Sequence, residues 1–247
     1  MLRLSLRRKL LIPILIASLA GIYFTSRFAS SNIVAFVPEI AMERWVCMGE
    51  IESLDEWGGQ YKLLDLALLL SPYNSGLFNL AAQFHEFKAL SYSAWSDDAK
   101  LNRIKAIALF EQAIKHRPFW SMTKVNYARS LVMHQILDEK VFSSIRGAIE
   151  MGRWQVETRQ AIVHLSVPLW SETPRDIKTY VRTIVKHELT RNENVISLIY
   201  MAFKFDWVEE LKRLTKDRKI LEMIASFEND ESLLAKIIEK QTQEKVC

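Results

Sequence analysis

The chain is poor in the residues that build loops, cradles and cross-links: 247 residues contain seven glycines, six prolines and two cysteines. None of the glycines stands in a GxGxxG or GxxxxGK[ST] pattern, so the backbone cradle that dinucleotides and nucleoside triphosphates require is missing. Cys47 and Cys247 lie 200 residues apart, which excludes a disulfide framework and a CxxC knuckle. In an oxidising compartment it leaves open a single bridge between them. The five histidines, His85, His116, His134, His164 and His187, include no pair at the three- or four-residue spacing that brings two ligands to one helix face, and no HExxH is present. There is no GxSxG to present a serine nucleophile. An Asp-x-Asp, which could hold a metal against a nucleotide sugar, is missing too. Asp97 and Asp98 are adjacent and read as a helix-capping or loop feature. The sequence therefore predicts no catalytic residue, no metal ligand and no cofactor site, and a protein that is not an enzyme.

Excess charge is also scarce once it is located. The net charge is +4, and Arg3, Arg7, Arg8 and Lys9 account for it. What remains balances 29 basic against 29 acidic residues, so no phosphate-binding surface is indicated and nucleic acid is excluded as a partner.

What the chain does have is apolar helical pattern. Hydrophobic residues make up 49% and charged residues 25%, a globular balance. The first long run is "LLIPILIASLAGIYF", residues 10–24, bounded by Lys9 and Arg27. Thr25 and Ser26 extend it toward the roughly 20 residues that a spanning helix needs. Four cations within nine residues precede it, which holds that flank in the cytoplasm and sends the bulk of the chain across. Ser18-Leu19-Ala20 has the small-x-small form of a cleavage site. Cutting there would leave Ile22, Tyr23 and Phe24 at a new terminus, so an uncleaved anchor is the preferred reading over a removed signal.

Downstream, one set of offsets recurs. Leu64, Ala67 and Pro72 precede Leu77, Leu80, Ala81 and Phe84. Ala106, Phe110, Ala113 and Pro118 precede Tyr127, Ala128 and Leu131, and Val141, Ile145 and Ala148 follow. Alanines at 106 and 113 share a face with Phe110 between them, and Pro118 ends the helix by forcing Arg117 out of the α region. Small residues at such contacts let two helices approach to about 8–10 Å. These offsets resemble the tetratricopeptide repeat, a helix–turn–helix unit of about 34 residues. Pro72 and Pro118 are 46 residues apart, and the excess falls in the polar stretch "SAWSDDAKLNR".

A longer resemblance runs through the same segments. "ALLLSPYNSGLFNLA", "AIALFEQAIKHRPFW", "VNYARSL" and "GAIEMGRWQVETRQAIVHLSVPLW" follow one another in an order that resembles the VpsP-type exopolysaccharide-biosynthesis family, over roughly residues 60–172. Arg153 stands where that pattern places a proline before Trp154. The resemblance implies a membrane-anchored, tetratricopeptide-like adaptor or scaffold in bacterial exopolysaccharide or capsule biosynthesis and export. Its partners would be proteins of the polymerisation and export machinery. It would span the inner membrane once, with its N-terminus cytoplasmic and its bulk periplasmic. Direct binding of the glycan chain is one alternative, motivated by seven tryptophans, although most of these are expected to be core anchors. A general periplasmic assembly scaffold or chaperone is the other.

The fold class expected is thus all-α, an N-terminal transmembrane helix followed by a tetratricopeptide-like stack of antiparallel helix pairs. The boundaries read as an anchor at 1–27, a linker at 28–37, helical repeats at 38–172 and a helical extension at 173–247. In the extension, Thr173 is expected as a cap with Pro174 at the first helical position, ahead of an apolar face of Ile177, Tyr180, Val181, Ile184 and Val185. Asn229 is expected to cap a last helix with Leu233, Leu234, Ile237 and Ile238 on its apolar side. The tetratricopeptide resemblance places Phe78, His85, Val125, Arg129 and Val132 along the groove that would take a partner.

Overall fold

The computed structural model describes residues 2–191, 194–230 and 236, with side chains described from Leu11 onward. Among the described residues the chain is entirely helical: eleven helices and no strand. It divides into two compact units, Met1–Pro118 and Phe119–Cys247. This division falls inside the segment expected to be one run of repeats.

Unit 1 holds α1 (Leu2–Met48), α2 (Leu54–Leu70), α3 (Ser75–Leu90) and α4 (Asp97–His116). Helix α1 is long and apolar enough to cross a membrane. From Leu11 to Ser26 its side chains are exposed all round, and from Ser31 onward one face is buried. Ser31, Ala35, Ala41, Met42 and Trp45 form that face. They share a core with Ile51, Trp57, Leu64 and Ala67 around α2 and with Leu77, Leu80, Ala81 and Phe84 of α3. Residues 28–37, expected as a linker, are accordingly helical, and the helix runs through Pro38. A proline inside a helix costs about 3 kcal/mol. Burying Met42 and Trp45 beyond it returns about 1.5–3 kcal/mol for each side chain, which offsets the break.

The pairings in unit 1 are antiparallel. Along α1 and α2, Arg27 bonds the carbonyls of Leu69 and Leu70, Ser31 bonds Ala67, and Arg44 pairs with Glu56. Along α3 and α4, Ser75 Oγ donates to the Ala113 carbonyl at 2.8 Å and His85 meets Asn102. Ser53, Asn74 and Ser96 cap α2, α3 and α4 by accepting from the backbone N–H of Glu56, Gly76 and Ala99. Each cap satisfies a donor that the first helical turn leaves without a partner. Asp97 and Asp98 occupy the first turn of α4, where negative charge suits the helix dipole.

Unit 2 holds α5 (Ser121–Met133), α6 (Glu139–Gly152), α7 (Val156–Ser166), α8 (Arg175–Thr190), α9 (Val195–Lys204), α10 (Val208–Leu214) and α11 (Arg218–Asn229). Helices α5 and α6 meet closely at Gly152. A Cβ built there would lie 2.3 Å from Ser121 Oγ. Glycine is therefore the residue that lets Ser121 reach Gln155 Oε1 at 2.7 Å and Thr158 Oγ1 at 2.9 Å. Thr173 does not cap α8. Its hydroxyl donates back to the Leu169 carbonyl at 2.8 Å, and Pro174 takes the capping position with Arg175 opening the helix. Ile177, Val181, Ile184 and Val185 are buried as their spacing predicts, while Tyr180 is half-buried. Asn229 is the last residue of α11, which Asp230 caps. The expectation for Leu233, Leu234, Ile237 and Ile238 lies outside the described residues, as does that for Cys247.

Candidate functional site

The cleft of unit 1 is built where α2, α3 and α4 come together. It has a volume of about 520 Å³ and is lined by Trp57, Tyr61, His85, Lys88, Lys105, Ala108 and Leu109. Helical period explains the set. Trp57 and Tyr61 are four apart on α2, His85 and Lys88 three apart on α3, and Lys105, Ala108 and Leu109 share a face of α4.

Trp57 anchors the wall. Its indole N–H donates to the Phe84 carbonyl at 2.8 Å, its ring stacks on Tyr61 at 4.7 Å, and Lys88 Nζ stands 3.8 Å from a ring centroid. These neighbours leave it 7% exposed. His85 is held at both nitrogens: Nδ1 is 2.8 Å from Asn102 Oδ1 and Nε2 is 3.1 Å from the Tyr61 hydroxyl. Asn102 Nδ2 donates to the Asp98 carbonyl, which orients its oxygen toward the histidine. The pairing fixes Nδ1 as the protonated nitrogen and Nε2 as acceptor of the tyrosine O–H. Burial pushes the His85 pKa down, and Lys105 and Lys88 push it further, against the opposing effect of the Asn102 bond. Burial also pushes Tyr61 up to about 12, assisted by the charge of Asp65. Lys88 is pushed down, first by burial and then by Lys105, with Asp98 opposing.

At neutral pH the cleft thus presents a neutral imidazole and a protonated phenol beside the side chains of Lys88 and Lys105, with no carboxylate among its lining residues. It suits a negatively charged group, which would relieve the repulsion between Lys88 and Lys105. His85 has both nitrogens occupied and is a positioning element of the wall. Among the described residues no cluster of histidine, cysteine, aspartate or glutamate has the arrangement to hold a metal ion.

Of the five residues placed along the groove, Phe78 and His85 lie in unit 1 and Val125, Arg129 and Val132 in unit 2. His85 lies in the cleft. Phe78, two turns earlier on α3, stacks on His116 at 5.5 Å instead. Val125 is buried, Val132 half-buried and Arg129 exposed on α5. The sequence reading missed Trp57, Tyr61, Lys88 and Lys105. The four-residue spacing of Trp57 and Tyr61 is visible in the sequence, but the two lysines converge only through the pairing of α3 with α4.

Six of the seven tryptophans fall into two groups. Trp45, Trp57 and Trp207 are buried, and Trp170 is half-buried with its ring 5.2 Å from that of Trp207. Trp95 and Trp154 are exposed. No family model matches the chain, and no curated protein matches it either.

Proposed function

We propose that this chain is a membrane-anchored, non-enzymatic helical adaptor that holds an acidic segment of a partner protein in the cleft of unit 1. The pathway that the sequence resemblance favours is bacterial exopolysaccharide or capsule biosynthesis and export. In this reading α1 crosses the inner membrane, and the four cations that precede its apolar run keep the N-terminus in the cytoplasm. The folded part then works in the periplasm. Anchoring raises the local concentration of the cleft near membrane-bound partners, so modest intrinsic affinity suffices.

The observation that carries the proposal is the paired cations Lys88 and Lys105 beside an indole already covered by its own neighbours. A sugar ring stacking in this cleft would need an open aromatic face, and Trp57 offers none. A carboxylate needs only the cations. Deleting the gene should reduce the amount or the chain length of surface polysaccharide. The wild-type chain should restore it, and a Lys88→Glu/Lys105→Glu chain should not. Unchanged polysaccharide after deletion would remove the pathway assignment.

Glycan binding remains the second reading on a separate observation, the exposed rings of Trp95 and Trp154. Tryptophan fluorescence quenched by purified polysaccharide, with loss of the effect in Trp95→Ala or Trp154→Ala, would favour it over the adaptor.

A further inference from the structure

The end of unit 1 nearest the anchor has an unusual composition. On an α-helix the stretch from Lys9 to Arg27 measures about 27 Å, close to the roughly 30 Å of a bilayer's hydrocarbon core. A bilayer centred on this stretch places Arg27 at its outer boundary. Arg27 also reaches sideways: its guanidinium donates to the Leu69 carbonyl at 2.6 Å and the Leu70 carbonyl at 3.1 Å. These are carbonyls of the last turn of α2, which lack helical partners and carry the negative end of the helix dipole. The last turn of α2 therefore stands at the depth of Arg27.

What that end exposes is apolar and amphipathic. Leu69 is 71% exposed and Tyr73, in the turn to α3, is 78% exposed. The Tyr73 ring meets the edge of His116 at 5.5 Å, and the Ser75–Ala113 bond ties the start of α3 to the end of α4. The last turn of α4 is thereby brought to the same end, with Lys115 exposed on it. On α1 itself, Phe24 and Phe28 are exposed on either side of Arg27. The opposite end of the unit carries exposed Glu52, Asp55 and Asp97.

We propose that the end of unit 1 formed by the last turns of α2 and α4 and the α2–α3 turn rests in the headgroup zone of the bilayer that α1 crosses, with anionic phospholipid as its partner. The inference rests on the anchor reading of α1. Leucine, tyrosine and lysine together are what a membrane interface takes: a leucine for the acyl boundary, a phenol with one apolar and one wet end, and a cation for lipid phosphates. Arg27 is then both an interfacial charge and the clamp that fixes the domain to its anchor. The domain is seated on the membrane at a set orientation, with its acidic end turned away from the anionic surface.

The test uses the full chain reconstituted in mixed phosphatidylcholine–phosphatidylglycerol vesicles. A photo-cross-linking phenylalanine analogue is placed in turn at Ile16, Leu69, Tyr73 and Asp55. Phospholipid adducts at Ile16, Leu69 and Tyr73 but not at Asp55 support the proposal. Each cation near an anionic surface is worth about fivefold in binding, so Lys115→Ala should lower the yield at Tyr73 by up to about fivefold. Adducts at Ile16 with none at Leu69 and Tyr73, or adducts there to a second copy of the chain, would overturn the seating and leave the anchor intact. No lipid adduct at Ile16 would remove the anchor reading, and the seating with it. An undiminished yield in both Lys115→Ala and vesicles without phosphatidylglycerol would remove anionic lipid as the partner.

Discussion

From Leu11 to Ser26, α1 exposes leucine, isoleucine, tyrosine and phenylalanine on every side; from Ser31 to Trp45 the same helix buries one face and exposes the other. Both halves are apolar, and no charged residue other than Arg27 occurs between Leu10 and Pro38. Hydropathy alone does not separate them. What separates them is the spacing of side chains that fit against another helix. Ser31, Ala35 and Met42 recur on one face, small residues first, and lead to Trp45, whose ring meets that of Phe84 at 4.9 Å. The outer half has no such face, and it belongs to the stretch that is long and apolar enough to cross a membrane. Arg27 stands at the change, bonded to the end of α2.

The comparison breaks most visibly at Trp45. Trp45→Ala empties a fully buried site and should cost about 3–5 kcal/mol, read as a fall in the denaturation midpoint of the chain in detergent. Ile16→Ala, in the outer half, should leave that midpoint unchanged. Equal effects would show that the two halves are not distinct. Overpacking gives a smaller contrast. Ala35 is fully buried, and Ala35→Leu should cost about 1–3 kcal/mol, whereas Ala17→Leu in the exposed half should cost nothing measurable in the same assay. Arg27→Ala, at the boundary, removes two charge-assisted bonds and a counter-charge to the helix dipole. Because the side chain is partly solvated, the expected loss is about 1 kcal/mol. It should appear as faster hydrogen exchange in the last turn of α2.

The smallest effect is in the pH profile, where His85 packs beside the core that the inner half of α1 completes. Its folded pKa lies below the ordinary value of 6.5, so the unfolded chain takes up the proton first as pH falls. Stability is then fully present above pH 6.5 and is lost as pH falls from that value through the folded pKa. His85→Gln should flatten this decline between neutral and mildly acidic pH. A decline of equal slope in the variant would place its origin elsewhere.

Much of the helical core was legible before the structure. Ala106, Phe110 and Ala113 are all fully buried and α4 ends at His116, two residues before Pro118. Val141, Ile145 and Ala148 are buried as well, as are Leu77, Leu80, Ala81 and Phe84. Local period suffices for these because one helix face defines each set. The continuity of α1 was not legible: Pro38 looks like a boundary, and only packing against α2 and α3 overrides it. The cleft was half legible. His85 was picked out by the repeat pattern, but the lysines that give the cleft its charge come from two helices whose register the sequence does not state. Gly152 illustrates the same limit, since the need for glycine arises from Ser121 on another helix.

The central claim is that α1 is an uncleaved anchor built into the domain it holds. The direct measurement is the intact mass of the chain extracted from membranes after alkaline washing. The account predicts a membrane-bound species whose mass includes residues 1–20. A shorter, soluble species beginning at Gly21 would contradict it.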